Sequence, residues 1–311
     1  MSDLFDTALK EKYRQYSVND PPAFARDAID WSAFPPLLKD LYHNDTDKGG
    51  RPSIPVITMV KVLYLQSLYN LADEQAGKEI HDRISFMNFL DYPDLLPDAK
   101  TIWYFRERLS KTGRDRIIWN ELQRQLELKG IKVKKGSAQD ATFITSDPGH
   151  VKHDEPRSEG KTRRSRDGSF TKKDSKTFFG YKGHTIVDDS NPVPVIRSCA
   201  ATTAKDHDTG IGLSKRGITV YRDRGYLGSD PKGMDGTMDR AVRNHKLSIE
   251  SITRRNRRIS RKRSLVEYPY SVMKRMFHFS HLMVTLVRRV RVKFMFACFG
   301  YNVHAMKILQ G

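Results

Sequence analysis

Near residue 130 the hydrophobic pattern of this chain changes period, from that of a helix to that of a strand, and a chain so divided folds as two parts. Before the change, PVITMVKVLYLQSLYNL (residues 55–71) opens with Pro55, suited to a helix start, and carries no later breaker. Its Val56, Ile57, Met59, Val60, Leu63, Leu65 and Leu68 cover most of the circumference, so this helix is expected to be buried on several sides, within the fold or against a partner chain. Asp73 is placed to cap a second helix running through Arg83, and Asp98 to cap a third that carries Ile102, Phe105 and Leu109 at helical spacing. A further amphipathic stretch, 117–128, ends before Gly130. The expected organisation is an N-terminal extension over 1–54, a helical domain over 55–135 and an α/β domain over 136–311.

After the change, SAQDATFITS (137–146) reads as a strand. Residues 147–176 then show no hydrophobic pattern and read as a loop; between 161 and 176 seven basic residues stand against two acids, a stretch either solvated or ordered by an anionic partner. Strands over 178–187 (FFGYKGHTIV) and 193–201 (VPVIRSCAA) are joined by a turn signal at 188–192, and an Asp/Gly-rich segment, 205–213, leads to a fourth strand over 217–222. Residues 230–252 give no single reading, and the chain from Ser264 onward is expected to be helical. Three strands in succession, then a short helix, a strand and a helix, indicate an α/β sheet built partly from hairpins.

Charge limits the partners. The formal net charge is +18, and from residue 251 to the end fourteen Lys/Arg stand against one acid, Glu267, so +13 lies in the last 61 residues. A surface so one-signed repels itself unless a polyanion meets it, and the usual polyanion is nucleic acid. Arg254, Arg255, Arg257, Arg258, Arg261 and Lys262 are the candidate phosphate contacts of this run. Cys199 and Cys298 lie 99 positions apart with no CxxC pair or His/Cys cluster of zinc spacing, which points to a reduced cytosolic compartment and no structural metal. The N-terminus has no apolar h-region, and the longest nearly apolar run, 294–301, falls far short of the roughly 20 residues that cross a bilayer, so a soluble protein is expected.

Three carboxylates stand out, each with a plainer reading beside it. Asp140 falls in the middle of an expected strand, where aspartate is depleted; it is either an edge residue facing solvent or a functional acid. Asp223 closes the fourth strand, where ligands bind in open α/β sheets, but Asp before Arg224-Gly225 is also an ordinary turn. Glu267 completes a capping-box pattern with Ser264, yet it also lies four residues after Arg263 and seven before Lys274, and Pro269 either kinks that helix or delays its start.

Four segments carry a resemblance: Gln139-Asp140-Ala141-Thr142, Phe179-Gly180-Tyr181-Lys182 with His184, Asp223-Arg224-Gly225-Tyr226, and Arg263, Glu267 and Lys274 at their spacing. With Gly50-Arg51-Pro52, Asp73-Glu74 and Phe105-Arg106-Glu107-Arg108-Leu109 in the helical part, the chain resembles an insertion-sequence transposase of the Asp-Asp-Glu kind, from about residue 50 to Tyr301-Asn302. It departs in having Ser260 where that family has a tyrosine three residues before the arginine. The resemblance implies a ribonuclease H-like catalytic domain over 136–311 and a DNA-binding or dimerisation role for the helical domain. It implies that Asp140, Asp223 and Glu267 hold two Mg²⁺ or Mn²⁺ ions, and that Arg263 and Lys274 bind phosphate, with an Arg263–Glu267 salt bridge as the other reading. Lys182 and His184 share a strand face and are placed near the site, or are ordinary half-exposed polar residues. Tyr226 and the phenylalanines at 277, 279, 294, 296 and 299 are read first as core. The expected partners are double-stranded DNA, at the terminal inverted repeats and the target, and a second copy in a synaptic homodimer; the expected place is the cytoplasm, at the nucleoid. A transposase-derived DNA-binding protein without activity, and a nuclease of the same fold without strand transfer, are the alternatives.

Overall fold

In the computed structural model, residues 20–42, 53–132, 136–147, 167–173, 175–203, 217–240 and 246–311 are described, together with residues 8, 11–13 and 15. The chain divides into two compact units, residues 1–129 with 310–311, and residues 130–309. Positions 43–52, 148–166 and 204–216 lie outside the described residues, and with them most of the basic loop and the Asp/Gly-rich segment.

The first unit is helical: α1 (Pro21–Ala28), a 3-10 turn (Trp31–Ala33), α2 (Phe34–Leu37), α3 (Val56–Leu68), α4 (Asp73–Asp82), α5 (Ile84–Phe89), α6 (Ala99–Thr112) and α7 (Asp115–Leu128). Every residue of α3 from Thr58 to Leu68 is buried, as its all-round apolar surface requires. Lys61 is buried with them, its charge paired with Asp91 and set 5.9 and 5.5 Å from the rings of Trp31 and Phe89. Asp98 caps α6, accepting from the Thr101 N–H at 2.7 Å. Asp73 does not cap α4: Ala72 holds that position, and both Asp73 oxygens are taken at 2.5 Å by the buried guanidinium of Arg106. A buried guanidinium needs a bidentate partner more than an exposed helix end needs a cap. Residues 20–42 are not a separate extension. Trp31 packs edge-on against Tyr64 and Phe89, and the Asp30 N–H donates to Gln125 at 2.9 Å, so this segment belongs to the helical unit's core.

The second unit is built on one mixed sheet: β1 (Ser137–Ser146), β2 (Ser169–Lys173), β3 (Lys176–Asp188), β4 (Ile196–Thr203), β5 (Thr219–Arg222), β6 (Met234–Thr237) and β7 (His281–Leu282). β3 is antiparallel to β1 along one edge; its other edge takes β2 at the first half and β4 at the second. β5 runs parallel to β1, and β6 parallel to β5. Helices α8 (Ile249–Arg263), α9 (Glu267–Met276) and α10 (Val287–Gln310) complete the unit. The order β4-β3-β1-β5-β6, three antiparallel strands followed by two parallel ones, is the ribonuclease H-like arrangement.

Three strands escaped the hydrophobic pattern, one of them β7, two residues long within the stretch expected to be helical. β2 arises inside the expected loop because its sequence, SFTKK, is polar and its one large apolar residue, Phe170, stays half exposed against Phe179 on a sheet edge. β6 lies in the stretch that gave no reading, four residues long and outermost in the sheet order. Gly180 of the Phe-Gly-Tyr-Lys segment has a steric cause: a Cβ there would stand 2.0 Å from the Ile144 carbonyl oxygen on β1. Phe277, Phe279, Phe294, Phe296 and Phe299 are all core. Among the described residues no helix is long and apolar enough to cross a membrane.

Candidate active site

The sheet brings the first two acids together. β1 and β5 are in parallel register with Ser137 beside Val220 and Ala138 beside Tyr221. Two residues further along, Asp140 falls beside Asp223, the first residue past β5, and on the same face, because strand side chains repeat every second position. Asp223 also makes the turn expected of it: its carboxylate accepts from the Gly225 N–H at 2.9 Å and caps the 3-10 turn Arg224–Tyr226. That bond engages one oxygen only.

Glu267 arrives by a helix break. α8 ends at Arg263, a 3-10 turn follows over Ser264–Val266, and α9 begins at Glu267 itself. The capping box does not form, since the Ser264 hydroxyl donates backward to the Arg261 carbonyl at 2.8 Å. Pro269 then falls in the first turn of α9, where its missing N–H would have had no partner within the helix. Glu267 is exposed, and Tyr270, one turn on, is buried with its hydroxyl 2.7 Å from the backbone carbonyl of Asp140.

Asp140 is the electrostatic centre of the group. One of its oxygens accepts from the Ala141 N–H at 2.8 Å, and the other is ion-paired with Arg263. Burial pushes its carboxyl up from 3.8 to about 6; Arg263 and the Ala141 N–H pull it down, while the charges of Asp223 and Glu267 raise it. Arg263 therefore pairs with Asp140 and not with Glu267, which corrects the salt bridge weighed for it.

Residues 132–303 match the family model described as "Transposase DDE domain", and residues 11–108 the one described as "Transposase domain (DUF772)". The chain belongs to the DDE transposase family. No solved structure matches it.

For a transposase of this family DNA is the partner class and divalent metal the cofactor class. Among the described residues no three His, Cys, Asp or Glu side chains are gathered as a metal-holding group, and Arg263 supplies the positive charge at Asp140. The donors nevertheless suit a hard cation in kind. All three are carboxylates, the oxygen donors that hard divalent cations take.

The basic run forms most of α8. Ile252, Asn256 and Ile259 face inward at helical spacing, and Arg254, Arg257, Arg258, Arg261 and Lys262 are exposed. Arg255 is partly spent within the fold, donating to Asp239 at 2.8 Å and to the Thr237 carbonyl at 2.7 Å, and Lys262 pairs with Asp189 at 3.1 Å. Lys274 is exposed in the last turn of α9, and Lys182 is half buried on β3. His184 shares that strand face but is 0% exposed, so it offers DNA no surface, in correction of its expected place among the DNA contacts. Its ring bridges the Tyr226 and Thr202 hydroxyls at 2.9 Å each, because a buried imidazole must satisfy both nitrogens. Tyr226 is core, as expected, while Tyr270 and Thr185 were not singled out by the sequence. The signal for Tyr270 is its place one helical turn after Glu267.

Proposed function

We propose that this transposase binds the ends of an insertion sequence, cleaves the DNA strand there and joins the freed 3′-OH to target DNA, with Asp140, Asp223 and Glu267 as the acids at the reacting phosphate. The observation that carries the reading is at Asp140: the register sets it beside Asp223, and its carboxyl responds to both Asp223 and Glu267. A buried carboxyl that also feels two neighbouring acids marks a place where a cation is favoured. The three would hold Mg²⁺ or Mn²⁺, two ions in all, which when bound neutralise charge on the phosphate and acidify a water.

The chain's own residues do the rest. Asp140 on β1 and Asp223 just past the end of β5 hold their carboxylates at one face of the sheet, and α9 adds Glu267. Arg263 neutralises Asp140 in the free protein, and a DNA phosphate is the competing anion for the same guanidinium. Lys274 and the exposed arginines of α8 bind the DNA backbone, Lys182 contributes from β3, and the helical unit recognises the ends or pairs two copies. The protein acts in the cytoplasm, at the nucleoid, as a homodimer on paired ends.

The test is incubation of the protein with labelled element-end DNA and Mg²⁺. Cut and joined products are expected, and both are lost in Asp140→Asn, Asp223→Asn and Glu267→Gln while DNA binding survives. Binding without cutting would leave a DNA-binding protein derived from a transposase. Cutting without joined product would leave a nuclease.

A further inference from the structure

Each of the two later acids is followed three residues on by a tyrosine: Asp223 by Tyr226 and Glu267 by Tyr270. Both rings are buried, and both hydroxyls end on β3, at consecutive residues. The Tyr226 hydroxyl lies 2.9 Å from Nδ1 of His184. The Tyr270 hydroxyl accepts from the Thr185 hydroxyl at 2.8 Å and donates to the Asp140 carbonyl at 2.7 Å.

Consecutive strand residues point to opposite faces, so His184 and Thr185 reach the two sides of the sheet. The turn bearing Asp223 is thus tied to β3 from one side and the helix bearing Glu267 from the other. β1 lies alongside, with Asp140 paired to Thr185 and Ala141 to His184. The protons are assigned by the neighbours. Thr202 donates its hydroxyl to the Thr203 carbonyl at 3.2 Å, so it accepts from Nε2–H of His184, which leaves Nδ1 to accept from Tyr226. Burial and nearby Lys182 hold His184 far below the usual imidazole range, at about 3, so this tie keeps its form across physiological pH.

We infer that Tyr226 and Tyr270 are positioning residues and that His184 and Thr185 are their anchor on β3. Their hydroxyls, rather than their rings, set the spacing of Asp140, Asp223 and Glu267. The inference rests on the reading of those acids as the active ones. It explains why a histidine and a threonine stand side by side in the middle of the unit's longest strand: each receives one tyrosine.

The experiment titrates the full-length protein with Mn²⁺ alone, by calorimetry, and follows end-DNA cleavage in parallel. Tyr270→Phe and Tyr226→Phe keep the rings and remove the hydroxyls. Each is expected to weaken Mn²⁺ binding by about tenfold, the loss typical when a group supporting a metal ligand is removed, and to lower kcat with KM for DNA unchanged. Thr185→Val should do the same and Thr185→Ser should restore wild-type affinity. Thr185→Val combined with Tyr270→Phe should be no weaker than Tyr270→Phe alone, because Tyr270→Phe already removes the bond that Thr185→Val removes. Wild-type Mn²⁺ affinity in Tyr270→Phe and Thr185→Val, or equal weakening by Thr185→Ser and Thr185→Val, overturns the inference. Should Tyr270→Phe fail to fold, the two Thr185 variants decide it. If Asp140→Asn, Asp223→Asn and Glu267→Gln all bind Mn²⁺ as wild type, the acid reading itself falls and this inference with it; if they lose Mn²⁺ and the hydroxyl variants keep it, only the positioning role falls.

Discussion

At Asp140 a structural burden falls on the side chain proposed for the chemistry. Its carboxyl is raised to about 6 from 3.8, so the folded protein retains that proton over a range where the unfolded chain has released it. The stability this gives is fully present below pH 3.8 and is lost as pH rises through about 6. Without divalent metal, the Asp140 contribution to thermal stability should fall between those values, and Asp140→Asn should flatten that fall; melting curves against pH in chelator read this directly. On the proposed role a metal takes the ionised form, so Mn²⁺ affinity should rise over the same interval in wild type, and Asp140→Asn should bind Mn²⁺ weakly throughout it. Arg263 belongs to the same balance. Replacing it with alanine strands a half-buried carboxylate, and a destabilisation of about 2 kcal/mol is expected by denaturant titration, reduced when Mg²⁺ is added.

Among the elements, α8 separates structure from binding along its circumference. The inward Ile252, Asn256 and Ile259 hold it to the fold, and the outward arginines are available to phosphate. Replacing Arg254, Arg257, Arg258 and Arg261 together with glutamine should reduce the slope of log affinity against log salt by about 3 to 4, nearly one for each phosphate that an arginine no longer neutralises. Arg255→Gln should change that slope little and lower the denaturation midpoint instead, because its guanidinium is bound to Asp239 and the Thr237 carbonyl. The β1–β3 pair has its own sensitive point. Gly180→Ala places a methyl against the Ile144 backbone, where no rotamer can move aside, so it is expected to prevent normal folding, read as loss of soluble protein or of a cooperative transition.

At the scale of the whole molecule, charge and period were legible in the residue order. The change of period separated a helical stretch from a stranded one, with the boundary expected at 135–136, whereas the two compact units divide at 129–130. The apolar circumference of α3 required its burial, and the fourteen basic residues after 250 required a polyanion. Four short segments in order were enough to indicate the family and with it the ribonuclease H-like fold. Other features depended on partners remote in sequence. Asp73 caps or pairs according to whether Arg106 comes within reach, and Arg263 turns to Asp140 rather than to Glu267, four residues away on its own chain. His184 reads as a surface contact until β4 and the turn after Asp223 close over it. Local pattern reports which face of an element is apolar and which residues carry charge, because both follow from the chain's own periodicity. Which charge meets which, and whether a polar residue is covered, depends on segments brought together from 18 to 123 positions away, and only the packed structure decides it.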